Sequence, residues 1–192
     1  MQIVFASSNK NKIIEIQSML PATIKILSLE DIGCYEDIPE TADTIEGNAI
    51  LKANYVTNKY GYDCFADDTG LEVAVLNGEP GVFSARYAGE QRSADDNMNK
   101  LLNALNNKSN RTAQFKTVIA LNRNGSQKLF TGIAAGEIAL EKSGKGGFGY
   151  DPIFKPLGFS ETFAELSLEI KNDISHRGKA TKELLHYLQE IE

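Results

Sequence analysis

Two adjacent carboxylates, Asp67 and Asp68, stand between two apolar runs, Phe65-Ala66 and residues 71–76, with Thr69-Gly70 as a break after them. A carboxylate at the end of a buried strand is costly unless it binds a cation or moves protons. A hard cation is the evident use, because Mg²⁺ takes a few carboxylate oxygens, retains waters and completes its shell with phosphate oxygens. Asp-Thr-Gly is also good turn chemistry, and for the pair alone the two readings are level. On either reading, strands over 64–66 and 71–76 flank the acids.

The rest of the chain supplies a mixture of short strands and amphipathic helices. Residues 2–6 read as a strand, the polar turn Ser7-Ser8-Asn9 follows, and Ile13, Ile16 and Leu20 at helical spacing lead to Pro21. Residues 24–29 form a second strand, and residues 31–43 are acidic and irregular. Ile45, Ala49, Ala53, Val56 and Tyr60 mark a helix stopped by Gly61. Ser93 with Asp96 resembles a capping arrangement for a helix carrying Met98, Leu101, Leu102 and Leu105. Residues 112–121 and 127–140 read as long strands joined at Asn124-Gly125, a strong hairpin signal. A helix from about Ser175, with Ala180, Leu184, Leu188 and Ile191 on its apolar side, closes the chain. The order implies a single α/β domain over 1–192 built on a mixed sheet, in which the long hairpin beside a helical portion can produce two lobes.

The chain is long enough for a sizeable core, and its net charge of −6 comes without a basic tail. That argues against binding along a nucleic-acid polymer. It leaves room for a small phosphorylated ligand where cations are gathered locally. Cys34 and Cys64, without metal-ligand spacing, read as reduced structural thiols. The first apolar run is too short for a signal peptide, and no segment is suited to a membrane, so a cytoplasmic protein is expected.

Three further segments carry chemistry. Ser7-Ser8-Asn9-Lys10-Asn11-Lys12 opens a helix, where backbone N–H groups, hydroxyls and the dipole suit phosphate, although a plain N-cap is the commoner use of such a turn. In residues 144–151, four glycines in six residues let backbone approach a ligand. There Phe148 or Tyr150 can stack on a flat ring, and Asp151 can accept from a base or sugar. Ser175-His176-Arg177 opens the last helix, with Ser175 as a cap and two donors suited to an acceptor such as a purine 6-oxo oxygen.

Taken in order, six motifs resemble the inosine triphosphate pyrophosphatase family over essentially the whole length. They are Ser7, Asn9 and Lys12 of the first turn, Asn48 to Ala53, Ala66 to Leu71, Pro80 to Gly89, Gly146 to Phe154 and Ser175 to Ala180. The resemblance implies a two-lobed α/β fold, with a long mixed β-sheet flanked by helices and the active-site cleft between the lobes, in a homodimer. It implies Mg²⁺-dependent hydrolysis of ITP, dITP and XTP to the nucleoside monophosphate and pyrophosphate. Asp68 is then the catalytic base or metal-linked activator of water, with Asp67 and Glu40 as further metal ligands. Ser7, Ser8, Asn9, Lys10, Asn11, Lys12, Lys52 and Arg86 hold phosphates, and Thr69 contacts substrate beside the acids. Phe148, Gly149, Tyr150, Asp151, Lys171, His176 and Arg177 form the nucleoside and base pocket. One departure is visible: many relatives carry two acids before the Asn-Ala of the second motif, whereas here Glu46 is followed by Gly47. Two other readings compete, a related pyrophosphatase for other modified nucleotides and a nucleotide-binding module without turnover. Retention of both acids argues against the second of these.

Overall fold

Strand β1 (Gln2–Phe5) buries side chains on both of its faces, and this alternation organises the layers around it. The computed structural model describes residues 1–190. After β1 come α1 (Lys10–Met19), β2 (Lys25–Leu27), α2 (Ile45–Tyr60), β3 (Cys64–Val73) and β4 (Pro80–Gly81). Then follow α3 (Ala94–Ala104), β5 (Thr112–Arg123), β6 (Ser126–Ile138), β7 (Phe154–Pro156), α4 (Leu168–Ile174) and α5 (His176–Glu190). One mixed sheet runs β2-β1-β3-β5-β6-β7, with β4 added to β3. Strand β1 is parallel to β2 and β3, whereas β3–β4 and β6–β7 are antiparallel.

The residues pack as two units, one of 1–68, 117–132 and 177 onward, the other of 69–116 and 133–176. In the first unit, Ile3, Phe5, Phe65, Ile119, Leu121 and Phe130 meet Ile16 of α1 and Ala180, Leu184 and Leu188 of α5. The residues between them in sequence, Val4, Ala6, Cys64, Ala66, Val118 and Ala120, meet Ala49, Ala53 and Val56 of α2. Period two in the strands thus assigns α1 and α5 to one face and α2 to the other. In the second unit, Met98 and Leu101 of α3 and Leu105 just past its end pack with Leu71, Val73, Phe115, Phe154 and Phe163. Each large aliphatic side chain buried this way is worth about 1.5–3 kcal/mol.

Local chemistry sets most boundaries where they were expected. Thr44 caps α2 through Gly47 N, Ser93 caps α3 through Asp96 N, and Gly61 ends α2 in the left-handed region. Asn124 and Gly125 both take positive φ, 50° and 75°, as a two-residue hairpin turn requires.

Two expectations are corrected, and one helix was not foreseen. The strand expected over 24–29 is only Lys25–Leu27, because Ser28 turns the chain by donating N–H and Oγ–H to Asp31 Oδ2, both at 2.8 Å. A separate short helix, α4, precedes α5, capped by Ser167. The acids are not at a strand end, since β3 runs unbroken from Cys64 to Val73 through Thr69-Gly70. Ser84 Oγ receives the Leu71 amide at 2.8 Å, and β4 pairs alongside, so tertiary partners override the local turn signal. Ile191 lies outside the described residues.

Candidate active site

Because Asp67 and Asp68 are consecutive residues of an unbroken strand, their side chains leave opposite faces of the sheet. Asp67 shares the parity of Phe65 and projects towards α1 and α5, whereas Asp68 shares that of Ala66 and projects towards α2. The pair therefore divides into two sites, each with its own partners.

On the α2 side, Asp68 Oδ1 accepts from Lys52 Nζ at 3.2 Å, and Oδ2 from Asn48 Nδ2 at 3.4 Å. Lys52 Nζ also reaches Glu40 Oε1 at 2.6 Å, which brings a second carboxylate to the same ammonium. Asn48 and Lys52 are four residues apart on α2 and so share a face. Burial pushes the Asp68 carboxyl above its ordinary value; Lys52 and Lys12 pull the other way without cancelling it. Burial would lower Lys52, but Asp68, Glu40 and Asp67 reverse this and hold it charged. Asp68 keeps 11% side-chain exposure, whereas Asp67 keeps none.

On the opposite face, Asp67 has no side-chain exposure and receives Lys12 Nζ on Oδ1 at 3.0 Å and Arg177 Nε on Oδ2 at 3.1 Å. Arg177, itself 2% exposed, donates through Nη1 to Glu15 Oε2 at 2.5 Å. Burial opposes the charge on Asp67 as well. Here Lys12, Arg177 and Lys52 outweigh it and hold the carboxyl well below the usual carboxylate range. Burial lowers Lys12, with Lys52 and Arg177 adding to the effect and Asp67 opposing it. With a cation on each oxygen, Asp67 is the anion of a buried ion-pair network. Both Asp67 oxygens are thus met by cations, whereas Asp68 and Glu40 share the Lys52 ammonium on the other face.

The turn after β1 is first of all a helix cap. Asn9 Oδ1 accepts from Asn11 N at 3.0 Å and Lys12 N at 3.2 Å, and Ser7 Oγ accepts from Asn9 N. The amides of Asn11 and Lys12 are thus satisfied by Asn9 and are not open to phosphate. Ser8, Asn9, Lys10 and Asn11 are exposed and Ser7 is half-buried. Arg86 is half-buried with its guanidinium 5.4 Å from the Phe83 ring centre, and it makes no ion pair among the described residues. Thr69 is half-buried, next after Asp68 in β3.

In the second unit the glycine-rich segment closes on itself. Asp151 Oδ2 accepts from Phe148 N at 2.7 Å and from Lys171 Nζ at 2.6 Å, and the residue is buried, so in this arrangement it closes the turn. Gly147 has φ +67°, and a Cβ there would stand 2.1 Å from Asp151 Oδ2. Tyr150 is a core residue whose hydroxyl donates to Ser84 O at 2.9 Å, which leaves Phe148 as the more exposed of the two rings. Phe148 stays half-buried, with Lys171 Nζ 4.9 Å from its ring centre, and Gly149 continues the turn. His176 is buried and stacked on Phe115, centroids 4.4 Å apart, with Phe163 tilted at 6.2 Å. Phe148, Lys171, Phe163 and His176 therefore form one continuous run of contacts.

The model of the Ham1 family matches residues 3–187. The chain belongs to the Ham1 family. It is 74% identical to the dITP/XTP pyrophosphatase of Flavobacterium johnsoniae over 188 residues, 98% of each chain. The corresponding protein of Flavobacterium psychrophilum is 73% identical, over 98% of this chain and all of its own. Among solved structures, the Ham1 protein of Staphylococcus aureus superposes with a TM-score of 0.91 at 42% identity over the whole of both chains. The family shown here is the one that the six motifs resemble.

In this Ham1 chain the structure adds one residue to the motifs and explains their one departure. Glu15, buried against Arg177, was not singled out, although it lies three residues beyond Lys12 on one helix and so shares its face. Gly47, where many relatives were expected to carry an acid, has no room for a side chain. A Cβ would stand 2.7 Å from Ala42 Cβ and 2.9 Å from Thr44 Oγ1.

Proposed function

We propose that this chain hydrolyses non-standard purine nucleoside triphosphates, ITP, dITP and XTP, to the monophosphate and pyrophosphate with Mg²⁺, as a homodimer in the cytoplasm. The enzyme is a hydrolase of phosphorus anhydrides; the substrate list, metal, assembly and location make up the proposal. The observation that carries it is the group Asp68, Lys52, Glu40 and Asn48, in which a carboxyl of raised pKa stands beside a second carboxylate and a charged ammonium.

The donor set fits Mg²⁺. Two carboxylates converge on one ammonium, and among the described residues no group of three or more His, Cys, Asp or Glu offers an all-protein cage. A cation held by one or two carboxylates, waters and substrate phosphate oxygens suits this arrangement. When bound, Mg²⁺ would neutralise charge on the polyphosphate and orient the attacking water. Asp68 would take the proton of that water, for which a raised pKa is better matched than that of an ordinary surface aspartate. Lys12, Lys52 and Arg86 would hold phosphates.

Phe148 is the half-buried ring suited to stack on a base. His176 and Arg177 carry N–H donors that would donate to a 6-oxo group and leave a 6-amino group mismatched, at a cost of about 1–3 kcal/mol. Arg177→Ala would also strip Asp67 and Glu15 of their partner, so base preference is better read from a substrate panel than from that variant. The test is incubation with ITP, dITP, XTP, ATP and GTP plus Mg²⁺, with products separated by chromatography. IMP and pyrophosphate are expected as the first products of ITP, whereas IDP and orthophosphate would overturn the cleavage site.

A further inference from the structure

The acidic segment before α2 is laid along that helix in order, running against its direction. Glu36 Oε1 accepts from Tyr55 Oη at 2.8 Å, from Tyr60 Oη at 2.7 Å and from Lys59 Nζ. Four residues on, Glu40 meets Lys52. Two residues further, Ala42 N donates to Asn48 Oδ1 at 2.9 Å, and Thr44 then caps the helix at Gly47. Each successive contact lies nearer the N-terminus of α2. Tyr55, Lys59 and Tyr60 stand roughly 4–12 Å beyond Lys52 along the axis, a distance that four extended residues can cover. The first contact is the most elaborate, since Lys59 also lies over both tyrosine rings, 5.3 and 5.5 Å from their centres. Three donors on one carboxylate oxygen of a loop residue are more than an isolated surface ion pair supplies.

We propose that Glu36 is a positioning residue for Glu40: clamped by Tyr55, Lys59 and Tyr60, it fixes the register in which segment 36–44 lies along α2 and so holds Glu40 at Lys52 beside Asp68. The proposal rests on the reading of Glu40 and Asp68 given under Proposed function. Glu36 touches neither substrate nor metal in it and acts through the chain between the two acids.

The test compares Glu36→Ala, Glu36→Gln, the Tyr55→Phe/Tyr60→Phe pair, Glu40→Gln and the Glu36→Ala/Glu40→Gln double variant. Each is assayed with ITP over a Mg²⁺ titration, and hydrogen exchange is followed on the metal-free proteins. Glu36→Ala should raise half-saturating Mg²⁺ roughly three- to tenfold, the loss of one charge-assisted contact, with turnover at saturating Mg²⁺ within about twofold. Glu36→Gln, which keeps an acceptor, should fall between parent and Glu36→Ala, and the tyrosine pair should follow Glu36→Ala. Amides of residues 37–43 should exchange faster in Glu36→Ala while those of α2 do not. In the Glu40→Gln background, Glu36→Ala should add no further shift in Mg²⁺ dependence. Unchanged exchange at 37–43, or an undiminished shift in the double variant, would overturn the proposal. If Glu40→Gln alone leaves Mg²⁺ dependence at the parent level, the metal reading fails instead, and exchange at 37–43 still decides the positioning role.

Discussion

Asp67 and Asp68 are the same residue type, one position apart, both buried, and the fold gives them opposite electrostatic lives. Asp67 lies against α1 and α5 with Lys12 on one oxygen and Arg177 on the other, and its carboxyl is driven down. Asp68 lies against α2 beside Lys52 and Asn48, and burial drives its carboxyl up. The division follows from the pleat of β3, because a strand sends neighbours to opposite faces. Two acids whose environments push their pKa values apart are suited to different tasks. Asp67 is a fixed anion that organises cations, and Asp68 is the acid whose folded environment favours the protonated form, which suits the role proposed for it. Adjacent acids on a strand should thus be read as two sites until a bend or bulge brings them together.

The largest effect that tests this contrast is expected from Asp68→Asn. Turnover of ITP should fall by roughly 10²–10⁴, the range for a positioned acid–base group. Urea unfolding should move by no more than about 1 kcal/mol, because Lys52 keeps Glu40 at 2.6 Å. Activity within a few-fold of the parent would remove Asp68 from the chemistry. Asp67→Asn should invert the pattern. It leaves Arg177 and Lys12 short of an anion, and breaking a buried pair costs about 3–5 kcal/mol, read by urea unfolding. A loss below about 1 kcal/mol would show that Asp67 is not the anchor of this network. Glu15→Gln should cost less, about 1–3 kcal/mol, since Arg177 retains Asp67 and the amide keeps an acceptor. A loss matching that of Asp67→Asn would move the centre of the network to Glu15.

Much of this was legible in the sequence, for reasons that are local. Thr44, Ser93, Gly61 and Asn124-Gly125 act on their own neighbours, so helix limits and the hairpin could be placed without tertiary knowledge. Long-range partners were not legible. The continuity of β3 through Thr69-Gly70 depends on Ser84, 13 residues from Leu71. The network around Asp67 joins Glu15 to Arg177, 162 residues apart. The motifs named Asp67, Lys12 and Arg177 as important without showing that they contact one another, because a motif lists residues without giving the parity of the strand that carries them. Tyr150 shows the same limit, since nothing local to the glycine-rich segment announces that its hydroxyl meets Ser84 O, 66 residues away.

The smallest and sharpest test is the pH dependence of the stability differences. The ordinary value for both acids is 3.8, and the folded state moves them in opposite directions. A depressed folded pKa, that of Asp67, contributes stability that is fully present above about 3.8 and lost as pH falls below it. A raised folded pKa, that of Asp68, means that the folded state holds its proton longer. The unfolded state then binds fewer protons in the window just above 3.8, and stability falls as pH rises through it. Relative to the parent, Asp68→Asn should therefore gain stability as pH rises from about 3.8, since Asn has no charge to desolvate. Asp67→Asn should lose relative stability as pH rises towards 3.8 and hold a constant deficit above it. For one group either slope is bounded by about 1.36 kcal/mol per pH unit. Urea unfolding of the parent and the two variants between pH 3 and 7 measures both. Slopes of the same sign would mean that the two faces of β3 do not separate the acids electrostatically, whatever their geometry.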